Sequence, residues 1–318
     1  GITDKLIATT QQAVNGTTTY TTQLDTIAQI HHNIIAGVVP AAMQAEVTEK
    51  VDTLLAEIST ILTSIEGIEN LSSKDMDLVV SYGERMSSII MAAVLNAQWW
   101  NSLDLIKTQQ GAHKNVLDQA TTYALLQNKK DNLAPVTVMG GFISTDSQSG
   151  EVSNLGRGGS DYTAAIVAAA LGASVLEIWT DVDGFLTADP RLVKNAYTID
   201  ELSYIEAVEL SNFGAKVIYP PTIYPVYEKN IPIMIKNTCN PTFKGTKISH
   251  LRGAEGKAIK GISSINDTCL ITLQGMGMVG VSGISSRTFK ALADEGISVF
   301  LISQASSENS TTFAIKNT

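Results

Sequence analysis

The 318-residue chain is 44% hydrophobic and 17% charged, the balance of a globular protein with a packed core, long enough for one large domain plus a small one or for two of medium size. Its formal net charge of −9 argues against nucleic acid as the main partner, since a phosphate backbone selects basic faces, yet a local cluster of Arg, Lys and helix N-termini could still hold a small anion. Two cysteines and four histidines in no ligand spacing offer neither a disulfide framework nor a zinc or histidine metal site, and both thiols are expected reduced in a cytoplasmic protein.

In chain order, Gly1 to about Gln98 reads as helix. In "AEVTEKVDTLLAEISTILTSI" (45–65), Val47, Val51, Leu54, Ile58, Ile61 and Ile65 recur at three-to-four spacing, which predicts an amphipathic helix. Residues 72–97 open on serine and aspartate capping candidates and continue as a buried helix. From about Pro135 the texture changes. "PVTVMGGFIST" (135–145) is β-rich and interrupted by Gly140 and Gly141. A glycine turn and an alanine-rich helix over 162–171 follow, then a strand in "ASVLEIWTDVDG" that breaks at Asp181. A helix stopped at Gly214 and a strand in "IPIMIKNT" complete the alternation, which predicts a mostly parallel sheet covered by helices, with ligands at the strands' carboxyl ends. The polar, glycine-containing stretch 248–261 reads as a linker. Beyond it, 268–317 reads strand, glycine turn, helix over 285–294, strand, polar turn, strand: a compact β-α-β-β unit. The most apolar run, 162–176, is too short and too rich in alanine to span a membrane; no signal peptide is visible. A start at "GITDKL" without Met points to a natural N-terminus elsewhere.

Three stretches carry chemistry. "LGRGGSDYTAA" sets Arg157 among Gly156, Gly158 and Gly159, with Ser160 and Asp161 as N-cap candidates for the helix. A capped helix after a glycine turn is one reading. The other is a zwitterion site, in which arginine forks onto a carboxylate and aspartate takes an ammonium. The loop lacks the Lys-Ser/Thr of a P-loop, and Asp161 breaks GxGxxG. "WTDVDGFLTADPR" ends a strand at Thr180 and Asp181 and carries Gly184, Asp189 and Arg191, read either as Asx turns or as a nucleotide loop with Arg191 for phosphate oxygens. Lys216 follows the Gly214 helix stop at what could be the same sheet end. Glu84, in "SYGERMSS", is a carboxylate with apolar neighbours at helical spacing, or a rim charge beside Arg85.

Together "GRGGSDYTAA", "TDVDGFLTADPR", "ELSNFGAKVIYP", "IKNTCNPTFKGT" and "SYGERMSS" resemble aspartate kinases of the amino-acid kinase superfamily. "LITLQGMGMVGVSGISSRTFKALADEGISVFLISQASSENST" looks like that family's first ACT regulatory unit, with wording closest to lysine- or threonine-regulated enzymes, including those fused to homoserine dehydrogenase. The resemblance implies a three-layer α/β/α kinase fold over 1–250, a linker at 251–264 and a partial ferredoxin-like ACT domain at 265–318. It implies transfer of the γ-phosphoryl of ATP, with Mg²⁺, to the β-carboxylate of L-aspartate, the first step of lysine, threonine and methionine biosynthesis. Arg157 would grip the α-carboxylate, Asp161 and Glu84 the ammonium, and Thr3 would be a weaker hydrogen-bonding candidate, with Gly158, Gly159 and Ser160 ordering the loop. Thr180, Asp181, Gly184, Asp189 and Arg191 would serve the nucleotide, and Lys216 would neutralise the moving phosphoryl. A carboxylate nucleophile is ionised at neutral pH, so no general base is required. An end-product amino acid, lysine or threonine, is expected at the ACT unit of a homodimer or larger homo-oligomer.

The family opens with a strand and a "K-F-G-G-T-S" phosphate loop that this sequence does not show; it is expected to precede residue 1, and residues 1–318 alone should turn over little. Tyr219 stands where relatives often have His. Two alternatives remain: another small-carboxylate kinase such as N-acetylglutamate kinase, which has no ammonium for Asp161 and Glu84, and a catalytically inactive amino-acid sensor.

Overall fold

The computed structural model describes residues 1–111, 115–215, 217–250, 259–306 and 308–317. Four helices come first: α1 (Ile2–Val14), α2 (Thr19–Val38), α3 (Ala41–Ser64) and α4 (Ser73–Val94). Pro40 stands at the N-cap of α3, where its missing N–H costs nothing. The Ser72 hydroxyl caps α4 by accepting from the Asp75 N–H at 3.1 Å. Their apolar stripes enclose one core, with Leu6, Val51, Ile58, Leu62, Val79 and Met86 fully buried. The opposite face of α4 lies on strands. Ser88 on that side accepts from Trp99 Nε1 at 3.0 Å, and on the other side Gly83 lets Ile2 and Leu6 of α1 approach closely.

The α/β portion begins at Gln98, earlier than the texture change at Pro135 predicts, because its first strands, three or four residues long, are too short to show a period. It runs β1 (Gln98–Trp100), α5 (Ser102–Leu105), β2 (Lys107–Gln110), β3 (Asn115–Leu117), α6 (Gln119–Lys129), β4 (Thr137–Met139), β5 (Ile143–Asp146), β6 (Val152–Asn154), α7 (Gly159–Leu171), β7 (Leu176–Thr180), β8 (Glu201–Ser203), α8 (Tyr204–Asn212), α9 (Ile223–Glu228), β9 (Ile233–Asn237) and β10 (Thr246–Ser249). Among the described residues these strands form three sheets, β1-β4, β3-β2-β5-β6 and β7-β9-β10-β8. The pairs β1–β4, β2–β5, β7–β9 and β8–β10 are parallel; β2–β3, β5–β6 and β9–β10 are antiparallel. Ile178, Ile233, Ile235 and Ile248 of the β7-β9-β10-β8 sheet bury against Ala165, Ala207 and Val226 of α7, α8 and α9. A second cluster joins α6 and α7 to Trp100 and Ile106.

Two expectations change here. Ser160 and Asp161 do not cap α7. Gly158, left-handed at φ 67°, occupies the N-cap without a side-chain hydrogen bond, and Asp161 sits in the first turn. The helix starts earlier because the glycines supply the turn. The stretch read as a linker from residue 248 begins inside β10, and its described part packs against the α/β portion: Ile262 N–H donates to Thr187 O at 2.9 Å, and Lys260 pairs with Glu206 at 2.9 Å. Residues 251–258 lie outside the described residues. The C-terminal unit has the predicted order, β11 (Thr268–Gln274), α10 (Ile284–Asp294), β12 (Val299–Gln304) and β13 (Ser310–Lys316), with β13 central and antiparallel to both neighbours.

Candidate functional site

The site is organised by glycines. Arg157 lies between Gly156 and Gly158, both left-handed, a backbone path that residues with a Cβ rarely take. A Cβ on Gly158 would lie 2.3 Å from the Tyr219 Cβ, and one on Gly159 would lie 2.9 Å from the Phe142 ring. The loop is thus clamped between the segment after α8 and the segment after β4. Phe142, itself at φ 69°, donates its N–H to Thr163 Oγ1 at 3.0 Å, and that hydroxyl donates to Gly159 O at 2.8 Å. A left-handed phenylalanine is strained, and these bonds hold it in place.

Gly140 and Gly141, just past β4, join the two carboxylate-bearing elements. A Cβ on Gly140 would stand 3.2 Å from the Glu84 carbonyl oxygen, and one on Gly141 would stand 2.8 Å from the Ser160 Cα. Mid-α4 and the start of α7 therefore meet at one glycine pair, bringing Glu84 and Asp161 to the same junction. Both are partly buried, and neither carboxylate has a hydrogen bond or ion pair among the described residues. Burial alone pushes both pKa values above the ordinary carboxylate range. Arg85 does not neutralise Glu84: it reaches Glu57 at 3.5 Å and stacks over the Tyr82 ring at 4.3 Å. Arg157 is exposed and has no partner among the described residues. Two anionic groups and one free guanidinium around a glycine hinge can bind a small zwitterion. Thr3 is exposed on the first turn of α1, while Ile2 and Leu6 of that helix touch the position of Gly83. That places the start of α1 near Glu84 but gives Thr3 no contact at the site.

The second group gathers at the end of β7. Thr180 Oγ1 donates to Asp181 Oδ1 at 3.2 Å. Asp183 accepts from the amides of Asn237 and Asn240 at 2.9 and 3.2 Å. Gly184, at φ 116°, passes so close to Thr246 that a Cβ would lie 2.4 Å from its hydroxyl. Asp189 and Arg191 are clamped to each other, with Nη2 at 2.7 Å and Nε at 3.0 Å. That bond holds the Asp189 carboxyl below its usual range, so Arg191 meets a phosphate only by sharing or leaving it. A cavity of about 270 Å³ lies between Val182, Leu186, Arg191, Ala215, Val217 and Ser264. Lys216 lies outside the described residues; its neighbours Ala215 and Val217 line this cavity. Among the described residues no group of three or more His, Cys, Asp or Glu could hold a metal ion.

Sequence reasoning missed Ser102 and Phe142, noted Tyr219 only as standing where relatives often have His, and read Gly140–Gly141 only as a strand interruption. The adjacent glycines were the one local signal for a close approach; the others are ordinary residues made important by what they touch.

The amino acid kinase family matches residues 10–237, and an ACT domain matches 271–318. The bifunctional aspartokinase/homoserine dehydrogenase of Haemophilus influenzae is 38% identical over 99% of this chain, which spans 39% of that relative's length. Two crystal structures of E. coli aspartokinase III resemble the chain, each at 30% identity over its full length. The complex with aspartate and ADP (R-state) has a TM-score of 0.84 and is covered over 70% of its chain; the complex with lysine and aspartate (T-state) scores 0.73 and is covered over 71%.

Proposed function

Because the chain belongs to the amino acid kinase family, we propose that it is an aspartate kinase that transfers the γ-phosphoryl of Mg-ATP to the β-carboxylate of L-aspartate, giving 4-phospho-L-aspartate and ADP. The observation that carries this reading is the pair of half-buried, unpartnered carboxylates, Glu84 and Asp161, beside the free Arg157. Burying two anions without partners is unfavourable, and a ligand ammonium removes that penalty. Arg157 takes the α-carboxylate in a bidentate contact, with Gly158, Gly159 and Ser160 holding its loop.

On the nucleotide side, Thr180, Asp181, Gly184, Asp189 and Arg191 shape the site, and the mixed apolar and polar wall of the cavity suits a base and ribose. Mg²⁺, when bound, neutralises phosphate charge and keeps much of its water shell. An aspartate oxygen forms the new P–O bond as the bond to ADP breaks in line, and Lys216 neutralises the moving phosphoryl. The nucleophile is already ionised, so no side chain need remove a proton.

We also infer a kinase portion at 1–250, a connector at 251–264 and a regulatory portion at 265–318. An end-product amino acid, lysine or threonine, would bind at the groove formed by Gly280, Val281, Ser285, Gln304 and Glu308; lysine accompanies aspartate in the T-state structure of E. coli aspartokinase III. Exposed Leu270, Met276 and Ile302 support a homo-oligomer built through this portion. N-Acetylglutamate is a poorer fit, because its acylated nitrogen carries no charge for Glu84 and Asp161. A cytoplasmic setting accords with the free cysteines.

In the full-length protein, a hydroxylamine-trapping assay should detect acyl phosphate from aspartate and not from N-acetylglutamate. Arg157→Ala should raise the aspartate KM by about 10- to 100-fold, the value of a lost charge-assisted contact, and leave the ATP KM within about twofold. Unchanged aspartate kinetics would remove Arg157 from the site; phosphorylation of N-acetylglutamate instead would overturn the reading.

A further inference from the structure

We propose that Ser102 is a positioning residue for the ammonium end of the substrate site, its buried hydroxyl fixing the glycine hinge that sets the spacing of Glu84 and Asp161. This inference rests on the aspartate reading above. Strands β1 and β4 pair in parallel register from Gln98–Thr137 to Trp100–Met139 and then diverge. β1 turns into α5, whose first N–H groups are capped by Asn101, its Oδ1 accepting from Leu103 N–H at 3.2 Å. β4 turns into Gly140–Gly141. Ser102 stands just past the last register pair and donates its hydroxyl to the carbonyl of Gly140 across the gap. The side chain thereby ties the two segments together where their backbones part.

The surroundings leave this bond little freedom. Ser102 is 1% exposed and Gly140 is buried, so no bulk water reaches the carbonyl to replace the hydroxyl. A buried carbonyl that loses a donor carries a desolvation penalty, and the backbone relaxes to relieve it. Any such movement is transmitted. Gly140 lies against the backbone of Glu84, and Gly141 against Ser160, one residue before Asp161. Only the missing side chains let these segments approach so closely, since a Cβ would stand 3.2 Å from the Glu84 carbonyl oxygen and 2.8 Å from the Ser160 Cα, so a shift of the hinge moves what it packs against. The two carboxylates would then change separation, and recognition of a single ammonium between them depends on that separation. The cavity at the end of β7 lies outside this chain of contacts, and the Arg157 loop is met only two residues on, at Gly159 through Phe142, so the ammonium end should bear the larger effect.

The experiment compares Ser102→Ala with wild type in the full-length protein, by steady-state kinetics with aspartate and ATP. Succinate, which is aspartate without its amino group, serves as a competitive inhibitor. We expect the aspartate KM to rise about five- to twentyfold, with kcat and the ATP KM within twofold of wild type and the succinate inhibition constant rising less than half as much as the aspartate KM. Gly140→Ala, which sets a methyl against the Glu84 carbonyl, should give the same split and keeps the test available if Ser102→Ala does not fold. A residue that merely supports the fold would lower the melting temperature and leave aspartate and succinate moving together; that result, or an aspartate KM within twofold of wild type, overturns the proposal. Wild-type protein that does not phosphorylate aspartate would remove the aspartate reading and this inference with it. Active wild type with a silent Ser102→Ala removes this inference alone.

Discussion

Glu84 and Asp161 show how a site can be built at the expense of the free protein. Burial raises both carboxyl pKa values, so the folded state holds their protons more tightly than the unfolded chain does. Their contribution to stability is therefore fully present below the ordinary carboxylate pKa of about 4 and is lost as pH rises through the raised folded values. Glu84→Gln removes this loss. It should raise the melting temperature at pH 7, with the difference from wild type closing as pH falls toward 4, while aspartate binding weakens at pH 7. Calorimetry across that pH range, with aspartate titrations, checks both halves; a variant less stable than wild type at pH 7 would contradict the sign. The pairing of these carboxylates was not legible from spacing, since they lie far apart in sequence. Arg157 was legible, because an arginine among glycines announces itself locally. Arg191 was legible as a cation, but its clamp on Asp189 was not, although the Asp-Pro-Arg turn brings the two within reach.

At the scale of elements, α7 contrasts two left-handed glycines with different roles. Gly172 ends the helix at φ 71° with open space where a Cβ would go, whereas Gly158 begins it at φ 67° with the Tyr219 Cβ 2.3 Å away from that position. Gly172→Ala should cost about 1 kcal/mol of conformational strain and leave the aspartate KM unchanged. Gly158→Ala adds a clash with Tyr219 and should abolish measurable aspartate binding while nucleotide binding persists. Urea denaturation and separate titrations of aspartate and ADP distinguish them; equal effects of the two substitutions would refute the assigned difference. The C-cap role of Gly172 follows a local rule, since a left-handed glycine commonly ends a helix. The clamp at Gly158 follows no such rule, because Tyr219 arrives from the far end of α8. The short strands β1–β3 were missed for a related reason: "QWW" and "KTQQ" carry no period long enough to read, and parallel partners define them.

For the whole molecule, the amino acid kinase match over 10–237 and the ACT match over 271–318 are joined by a connector. Its described part does not hang free: a Cβ on Gly214 would lie 2.0 Å from the Ser264 carbonyl oxygen, and Ser264 lines the same cavity as Arg191. An effector at the regulatory groove should therefore stabilise the protein and alter substrate affinity. At about 100 times its Kd it adds about 2.7 kcal/mol to unfolding free energy, seen as a rise in melting temperature. Whichever of lysine or threonine does this should shift aspartate affinity by the same factor by which aspartate shifts its own. Neither amino acid raising the melting temperature would refute the effector assignment.

Local rules sufficed for part of this protein. Apolar periodicity specified the long α3 and α4 helices, glycine stops marked their successors, and the strand–helix alternation and β-α-β-β order of the C-terminal unit followed from the same patterns. The motifs, taken in order, carried the family resemblance. Tertiary structure alone decided what the motifs hold in common. It brought Glu84 to Asp161 through Gly140–Gly141, set Tyr219 on Gly158, and placed the Ser102 hydroxyl on a carbonyl that no sequence pattern marks. Those contacts join residues remote along the chain, and close approach of two backbones depends on packing that a periodicity of two or 3.6 residues does not encode.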